Sequence, residues 1–179
     1  MSKTVVGVNK NLEIRTACIK DLNSIVDIYN QAIRSKCATG DMDEFKIVDR
    51  LEWFKKFDLN TFPIYVAELN KKIIGYATLS PYRPGRKAMN KIAEISFYVD
   101  YSYHNLGMGY ALISHIISDC ERIGKEALLA ILLDINKPSI KLLKKFNFEE
   151  WGHLPHIINF DDIKCGHLIY GLILKNSQK

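Results

Sequence analysis

IAEISFYVDYSYHNLGMGYALISHIISDCERIGKEALLAILLDINKPSIKLLKKFNF, residues 92–148, carries the reading of the fold. In its first eight residues Ala93, Ile95, Phe97 and Val99 alternate with Ile92, Glu94, Ser96 and Tyr98, which makes a strand with one apolar face and one face bearing polar groups. A glycine turn follows, His104-Asn105-Leu106-Gly107-Met108-Gly109. Leu112, Ile113, Ile116, Ile117 and Cys120 then recur as the apolar stripe of a helix. Ala127 to Leu133 is seven apolar residues in a row, the mark of a strand covered on both faces. Strand, helix and strand in this order imply a right-handed parallel crossover. Asn136, Pro138 and Ser139 open a short helix that runs through Phe146, with Asn136 as its cap.

Upstream, Leu12 to Ala17 reads as a first strand, and Asp21 as the N-cap of a helix whose face is Ile25, Ile28, Tyr29, Ala32 and Ile33. After the polar loop CATGDMD, Phe45 to Phe57 carries a second helical stripe of Val48, Leu51 and Phe54. Pro63 to Glu68 and Ile73 to Ser80 flank Leu69-Asn70-Lys71-Lys72 as a hairpin. The loop PYRPGRKAMN is rich in turn residues and positive charge. Downstream, Trp151 to Ile158 and Gly166 to Leu174 form a closing hairpin around Asn159-Phe160-Asp161-Asp162. Residues 1–11 read as a loose arm and residues 12–176 as a single domain, without internal repeat or linker.

Composition agrees with one packed domain. Of 179 residues 47% are apolar, 25% charged and 11% aromatic, which excludes a disordered, collagen-like or low-complexity chain. The net charge of +5 favours phosphate-bearing ligands. No basic stripe interleaved with aromatics appears, so no nucleic-acid partner is expected. Cys18, Cys37, Cys120 and Cys165 lack CxxC spacing or a His pattern, and read as reduced thiols with no metal site. The N-terminus lacks the apolar core of a signal peptide, and no apolar run approaches the ~20 residues of a membrane span. A cytoplasmic protein with no membrane partner is expected.

A glycine-rich turn that opens a helix after a strand presents free N–H groups and a positive helix end to an anion. The mononucleotide pattern GxxxxGK[ST] is absent, and the dinucleotide fingerprint GxGxxG fails at Leu112. A third option is the pyrophosphate of coenzyme A, which a family resemblance brings in. Here residues 94–148 resemble the GNAT superfamily of acyl-CoA N-acyltransferases, whose Q/R-x-x-G-x-G/A segment is matched from His104 to Gly109 except at His104 itself. Asn136, Ser139 and Asn147-Phe148 fit the family's downstream pattern, with Asn in place of Gly in the last pair.

The resemblance narrows to the phosphinothricin and methionine sulfoximine acetyltransferase branch. Ile14-Arg15, Asp21, Ile28-Tyr29-Asn30 and Thr39 to Asp41 match its first helix and the loop after it. Pro81 to Ala88 with Arg86-x-Ala88, then Ala93 to Val99, match its loop and central strand, and Gly152-His153-Leu154 the segment after its last helix. The likeness spans residues 12 to 174. It implies an α/β fold of GNAT type: a mixed, mostly antiparallel sheet with splayed central parallel strands, flanked by helices. It also implies acetyl-CoA as co-substrate, a homodimer, and a coenzyme site made by Tyr98, Val99, His104, Asn105, Leu106, Gly107, Met108, Gly109, Tyr110, Asn136 and Ser139.

Acetyl transfer to an amine needs a pocket for the thioester, polarisation of its carbonyl and removal of a proton from the ammonium. Main-chain N–H groups of Tyr98 and Val99 supply the polarisation if a bulge splays their strand from the next; otherwise they are ordinary sheet residues. Glu94 is the candidate general base, on the same face as Tyr98, which orients substrate or water. The other readings are a structural ion pair of Glu94 with Arg83 or Arg86, and a packing role for Tyr98. Arg83 and Arg86 can hold a substrate carboxylate in a guanidinium fork, or can be solvated surface charge. Met89 stands where the branch has Tyr.

The family's leaving-group acid, a Tyr or His on the last helix, is replaced by Leu143. His153 or His156 can substitute, or can be plain surface residues. Lys137, Lys141, Lys144 and Lys145 can attract the coenzyme's phosphates. The reading is an acetyl-CoA-dependent N-acetyltransferase acting on the amino group of a small amino-acid-like molecule. The alternatives are a protein N-terminus or polyamine as acceptor, and a non-catalytic acyl-CoA-binding module, which His104 and Leu143 motivate.

Overall fold

Short apolar alternations and longer amphipathic stripes set the order of elements along the chain. The computed structural model describes residues 11–161 and 163–174. Its strands are β1 (Leu12–Thr16), β2 (Ile64–Leu69), β3 (Lys72–Pro81), β4 (Ile92–Val99), β5 (Ala127–Leu133), β6 (Glu149–Phe160) and β7 (Ile163–Ile173). Its α-helices are α1 (Leu22–Ser35), α2 (Ile47–Phe54), α3 (Met108–Asp119) and α4 (Lys137–Lys145). The arm expected over 1–11 lies, apart from Asn11, outside the described residues, as do Asp162 and the last residues of the expected domain.

The seven strands form one sheet in the order β1-β2-β3-β4-β5-β7-β6. Every neighbouring pair is antiparallel except β4 and β5, the crossover pair joined through α3. This is the GNAT-type architecture that the resemblance implies. The alternation along β4 divides two cores. Ala93 and Ile95 pack with Leu112, Ile113 and Ile116 of α3 and Leu143 of α4, while Tyr98 lies among Ile25, Ile28, Tyr29 and Ile33 of α1 on the opposite face. The hairpin between β2 and β3 turns on Asn70 and Lys71, both with positive φ (51° and 65°), as a two-residue turn matching sheet twist requires.

Three expectations need correction. Asp21 flanks α1 but does not cap it through its side chain. Its carboxylate turns back to accept a fork from the Arg15 guanidinium at 2.7 and 2.9 Å and the Cys18 N–H at 2.8 Å, tying β1 to the start of α1. The second helix is shorter than the stripe, and Val48 is 65% exposed. Trp53, Phe54 and Phe57 pack against the α1 core instead, because bulky rings outweigh a β-branched residue in the area they bury. The last hairpin is longer than expected and turns at Asp161, with Phe160 paired to Ile163, and β7 separates β5 from β6. Trp151 is the extra residue of a bulge in β6, and its indole covers Gly171, where a Cβ would fall 2.2 Å from the ring.

Burial would raise the Asp21 carboxyl, but the Arg15 fork and the Cys18 N–H outweigh it and hold its pKa below the ordinary 3.8. A carboxylate so depressed stabilises the fold above its unfolded pKa, and that contribution is lost as pH falls through the folded value. Asp21→Asn is therefore expected to cost about 1.5–3 kcal/mol at neutral pH, the range for hydrogen bonds to charged groups. Urea melts from pH 2 to 7 should show the variant with a shallower loss of stability on the acid side. Identical profiles would show that this pin does not support the fold.

Candidate active site

Only three residue pairs join β4 to β5: Ile92 with Ala127, Ala93 with Leu128, and Glu94 with Leu129. Beyond them each strand stays with its outer neighbour, β4 with β3 as far as Gly75 opposite Val99, and β5 with β7 as far as Leu133 opposite His167. The two strands separate into a V lined by Ile95, Phe97, Tyr98, Ala130, Leu132, Asn136, Ser139 and Leu143, with Ala38 from the α1–α2 loop. The register of β4 on β3 is unbroken, so the splay forms without the anticipated bulge.

Inside the V the edge of β4 carries main-chain groups that no strand pairs. The Asp100 N–H donates to the Ile74 carbonyl at 2.9 Å, so the even-numbered residues of β4 bond across to β3 and the odd-numbered ones face the V. Val99 therefore aims its N–H inward as expected. Tyr98 does not, and the second inward N–H belongs to Phe97, which sequence reading missed. Alternation alone cannot say which set faces which neighbour. The Val99 carbonyl, also on the inner edge, accepts from His104 Nε2 at 3.0 Å, and the His104 ring lies 4.4 Å from Tyr101.

The glycine turn opens α3 as the pattern predicts. Gly107 has φ +84°, a left-handed conformation that glycine adopts without strain, and Asn105 has φ +63°. The first N–H groups of α3, from Met108 to Tyr110, have no partner within the helix. Leu106 and Tyr110 are exposed, and the Tyr110 ring packs 4.5 Å from Phe146. Gly109 has a packing reason of its own: a Cβ there would fall 2.8 Å from Leu142 Cδ2, so its small size seats α3 against α4. Asn136 caps α4, its side-chain oxygen accepting the Ser139 N–H at 3.2 Å, and both residues line the V. Leu143 is fully buried and offers no proton.

Glu94 sits at the last β4–β5 pair, where the V begins, with its side chain on the Tyr98 face. It is half-buried, and among the described residues it has no hydrogen-bond or ion-pair partner. Burial raises its pKa above the ordinary 4.5. The ion pair with Arg83 or Arg86 is absent. Both arginines are exposed, Arg83 near the Tyr82 ring, in the loop leaving the sheet where Ser80 pairs with Glu94. Tyr98 stands about 13 Å further along the strand, so the two side chains share a face but not a contact. Its ring meets Tyr29 edge-on at 5.0 Å and stacks on Tyr76 at 5.3 Å. Burial and the neighbouring Tyr29 push the Tyr98 phenol well up, so it stays protonated.

His153 and His156 do not line the V. Both are exposed on β6, and His153 lies 3.2 Å from the Asp134 carboxylate. Lys137, Lys141, Lys144 and Lys145 are exposed on α4, Lys137 donating to the Asp134 carbonyl.

A model of the acetyltransferase (GNAT) family matches residues 22–148. A Bacillus subtilis (strain 168) protein named "Putative phosphinothricin acetyltransferase YwnH" is 35% identical over 151 residues, 84% of this chain and 91% of that protein. An L-methionine sulfoximine/L-methionine sulfone acetyltransferase of Salmonella typhimurium is 28% identical over 146 residues, 82% of this chain and 85% of its own. The solved structure of Salmonella typhimurium yncA with its cofactor acetyl-CoA superposes with a TM-score of 0.87 at 25% identity. That match covers 95% of this chain and 98% of the other.

The cap geometry gives Asn136 a structural duty independent of any ligand. Asn136→Ala is expected to cost about 1 kcal/mol, seen as a melting temperature lower by roughly 2–4 °C without ligand. An unchanged melting temperature would remove the cap from the account of α4.

Proposed function

We propose, from the premise that this chain belongs to the acetyltransferase (GNAT) family, that it acetylates the α-amino group of a small amino acid of the phosphinothricin or methionine sulfoximine kind. The chain is an acyltransferase with acetyl-CoA as co-substrate. The observation that carries the proposal is the unpartnered, half-buried carboxylate of Glu94 at the point where β4 and β5 part. The substrate class is supported by the names of the two relatives.

The cleft suits an extended, amide-bearing thioester ending in a pyrophosphate. The inward N–H groups of Phe97 and Val99 would hold the amide and carbonyl oxygens, and the turn from His104 to Tyr110 the phosphates at the start of α3. Asn136 and Ser139 would close the opposite wall. Acetyl-CoA supplies the activated acyl group. Glu94 takes the proton that must leave the acceptor's ammonium before its nitrogen can attack, directly or through one water. Burial that raises its pKa makes it a better proton acceptor than an exposed carboxylate. Tyr98 donates a hydrogen bond from the same face. Leu143 supplies no acid, and release needs little help because a thiol pKa is only ~8.5. Arg86, on the loop beside Glu94, holds the acceptor's α-carboxylate, with Arg83 next to it.

Two further parts belong to the proposal. The free thiols of Cys18, Cys37, Cys120 and Cys165 accord with a cytoplasmic location. A homodimer is supported by the β5–β7–β6 face, where Trp151 and Ile173 are 46% and 54% exposed beside Ile131 and Ile169.

Glu94→Gln is expected to keep the fold and acetyl-CoA binding but lower turnover by roughly 10²- to 10⁴-fold, the usual contribution of a positioned base. Wild-type kcat/KM should fall as pH drops through the raised Glu94 pKa, because a protonated carboxyl accepts nothing. The variant should lack that limb and recover partly as pH rises and free amine becomes abundant. Equal rates for both at neutral pH would dispose of the assignment.

Arg86→Ala should raise KM for an amino acid more than it lowers kcat, since the carboxylate is held in the ground state. The matching amine without a carboxylate serves as control. Equal losses on both acceptors would leave Arg86 no role in recognition.

A further inference from the structure

Ser96 lines the V, and along β4 it stands between Glu94 and Tyr98 on the face turned toward α1. Packing under a helix calls for an apolar residue there, yet the chain places a half-buried hydroxyl. Directly across the ladder on β3 stands a second one, Thr78, a residue only 7% exposed. Neither hydroxyl has a hydrogen-bond partner among the described residues. Among those residues no side-chain nitrogen or oxygen is both sealed from solvent and unpaired, so each hydroxyl keeps access to water. A buried hydroxyl without a protein partner costs free energy, and a held water offsets that cost.

Spacing along β4 relates this pair to the chemistry. The inward N–H of Phe97 belongs to the peptide that joins Ser96 to Phe97, so an acetyl oxygen held there sets the thioester carbon, and the nitrogen attacking it, beside Ser96. Glu94 starts two residues back, about 7 Å along the strand. It stands at the apex of the V, whereas Ile95, Ser96, Phe97 and Tyr98 line the opening itself. The Glu94 side chain closes part of the gap to the reacting nitrogen, and one water closes the rest.

We propose that Ser96, with Thr78 across the ladder, is the positioning residue that seats the water through which Glu94 deprotonates the acceptor. The water donates one O–H to the Glu94 carboxylate and the other to Ser96 Oγ, and accepts from the acceptor's ammonium and from the Thr78 hydroxyl. As the ammonium gives up its proton to the water, the water passes the proton on its Glu94 side to the carboxylate, so the water is regenerated and the nitrogen gains its lone pair. Ser96 and Thr78 exchange no proton; they fix where the water stands. This inference rests on the N-acetyltransferase reading above and on Glu94 as its base.

The test is a double-mutant cycle in a thiol-release assay with acetyl-CoA and L-methionine sulfone, with melting temperature and acetyl-CoA affinity measured on each variant. Ser96→Ala should lower kcat about tenfold with little change in KM, and keep the acid limb of the pH profile, because Glu94 is still present. Ser96→Thr, which keeps the hydroxyl, should restore most of the rate. Glu94→Gln combined with Ser96→Ala should be no slower than Glu94→Gln alone, within about twofold, since the seat serves only that base. Thr78→Val, which replaces the hydroxyl by a methyl of like size, should lose about threefold with the same lack of additivity, and carries the test if Ser96→Ala does not fold. Losses that add to that of Glu94→Gln, or a Ser96→Ala protein as fast as wild type, would overturn the water seat and leave the enzyme reading standing. A Glu94→Gln protein as fast as wild type would overturn both the seat and the base.

Discussion

The parting of β4 from β5 after Glu94 and Leu129 is the constraint on which the site depends. A parallel pair inside a sheet normally satisfies both edges, and leaving inner groups unpaired costs free energy unless water or a ligand meets them. Here each strand is held by an antiparallel partner on its outer side, β3 for one and β7 for the other, so the inner edges can open without loss of the outer ladders. The opening leaves backbone that would be structural elsewhere free to meet a ligand. It also places the carboxylate of Glu94 where sheet packing ends, desolvated enough to raise its pKa and still reachable.

Around that opening the elements divide their work by face. On one side α3 and α4 meet through Gly109 and Leu142, and the α3 N-terminus and the Asn136 cap stand at the two rims of the V. On the other, α1 and α2 cover a layer of aromatic rings in which Tyr29 of α1, Tyr98 of β4 and Tyr76 of β3 touch in turn and Arg50 of α2 lies against Tyr29. Rings of this kind bury much area at little entropic cost and fix the wall on which a small acceptor can be discriminated. In the proposed reading the coenzyme side is thus built mainly from backbone, which tolerates sequence change, and the acceptor side from side chains, which do not.

His104 illustrates how a departure from the family pattern can be absorbed. Its ring turns back to the Val99 carbonyl and Tyr101, so it braces the end of β4 at the start of the glycine turn. The turn itself needs only the left-handed Gly107 and open N–H groups, which the side chain at 104 does not alter. Leu143, by contrast, occupies the base of the V as core, packed and fully buried. No acid can act from that position, and in the proposed mechanism proton transfer rests on Glu94, Tyr98 and solvent.

The residues from Ile92 to Phe148 by themselves determined the crossover, the glycine turn, the buried strand and the cap at Asn136, because each rests on local periodicity or backbone preference within one element. Glu94 and Tyr98 were likewise legible, as polar positions on an otherwise half-buried strand. Tertiary structure decided what local pattern cannot contain. Phe97 rather than Tyr98 turns an N–H into the cleft because that depends on which neighbour each edge of β4 pairs with. Asp21 became a pin for Arg15 instead of a cap because its partner lies across a chain reversal. Arg83 and Arg86 left Glu94 unpaired, and Arg50 entered an aromatic cage, because rings from two helices and the segment between them converge only after the sheet has set their distance. Periodicity records which face a residue takes; only packing decides what that face meets.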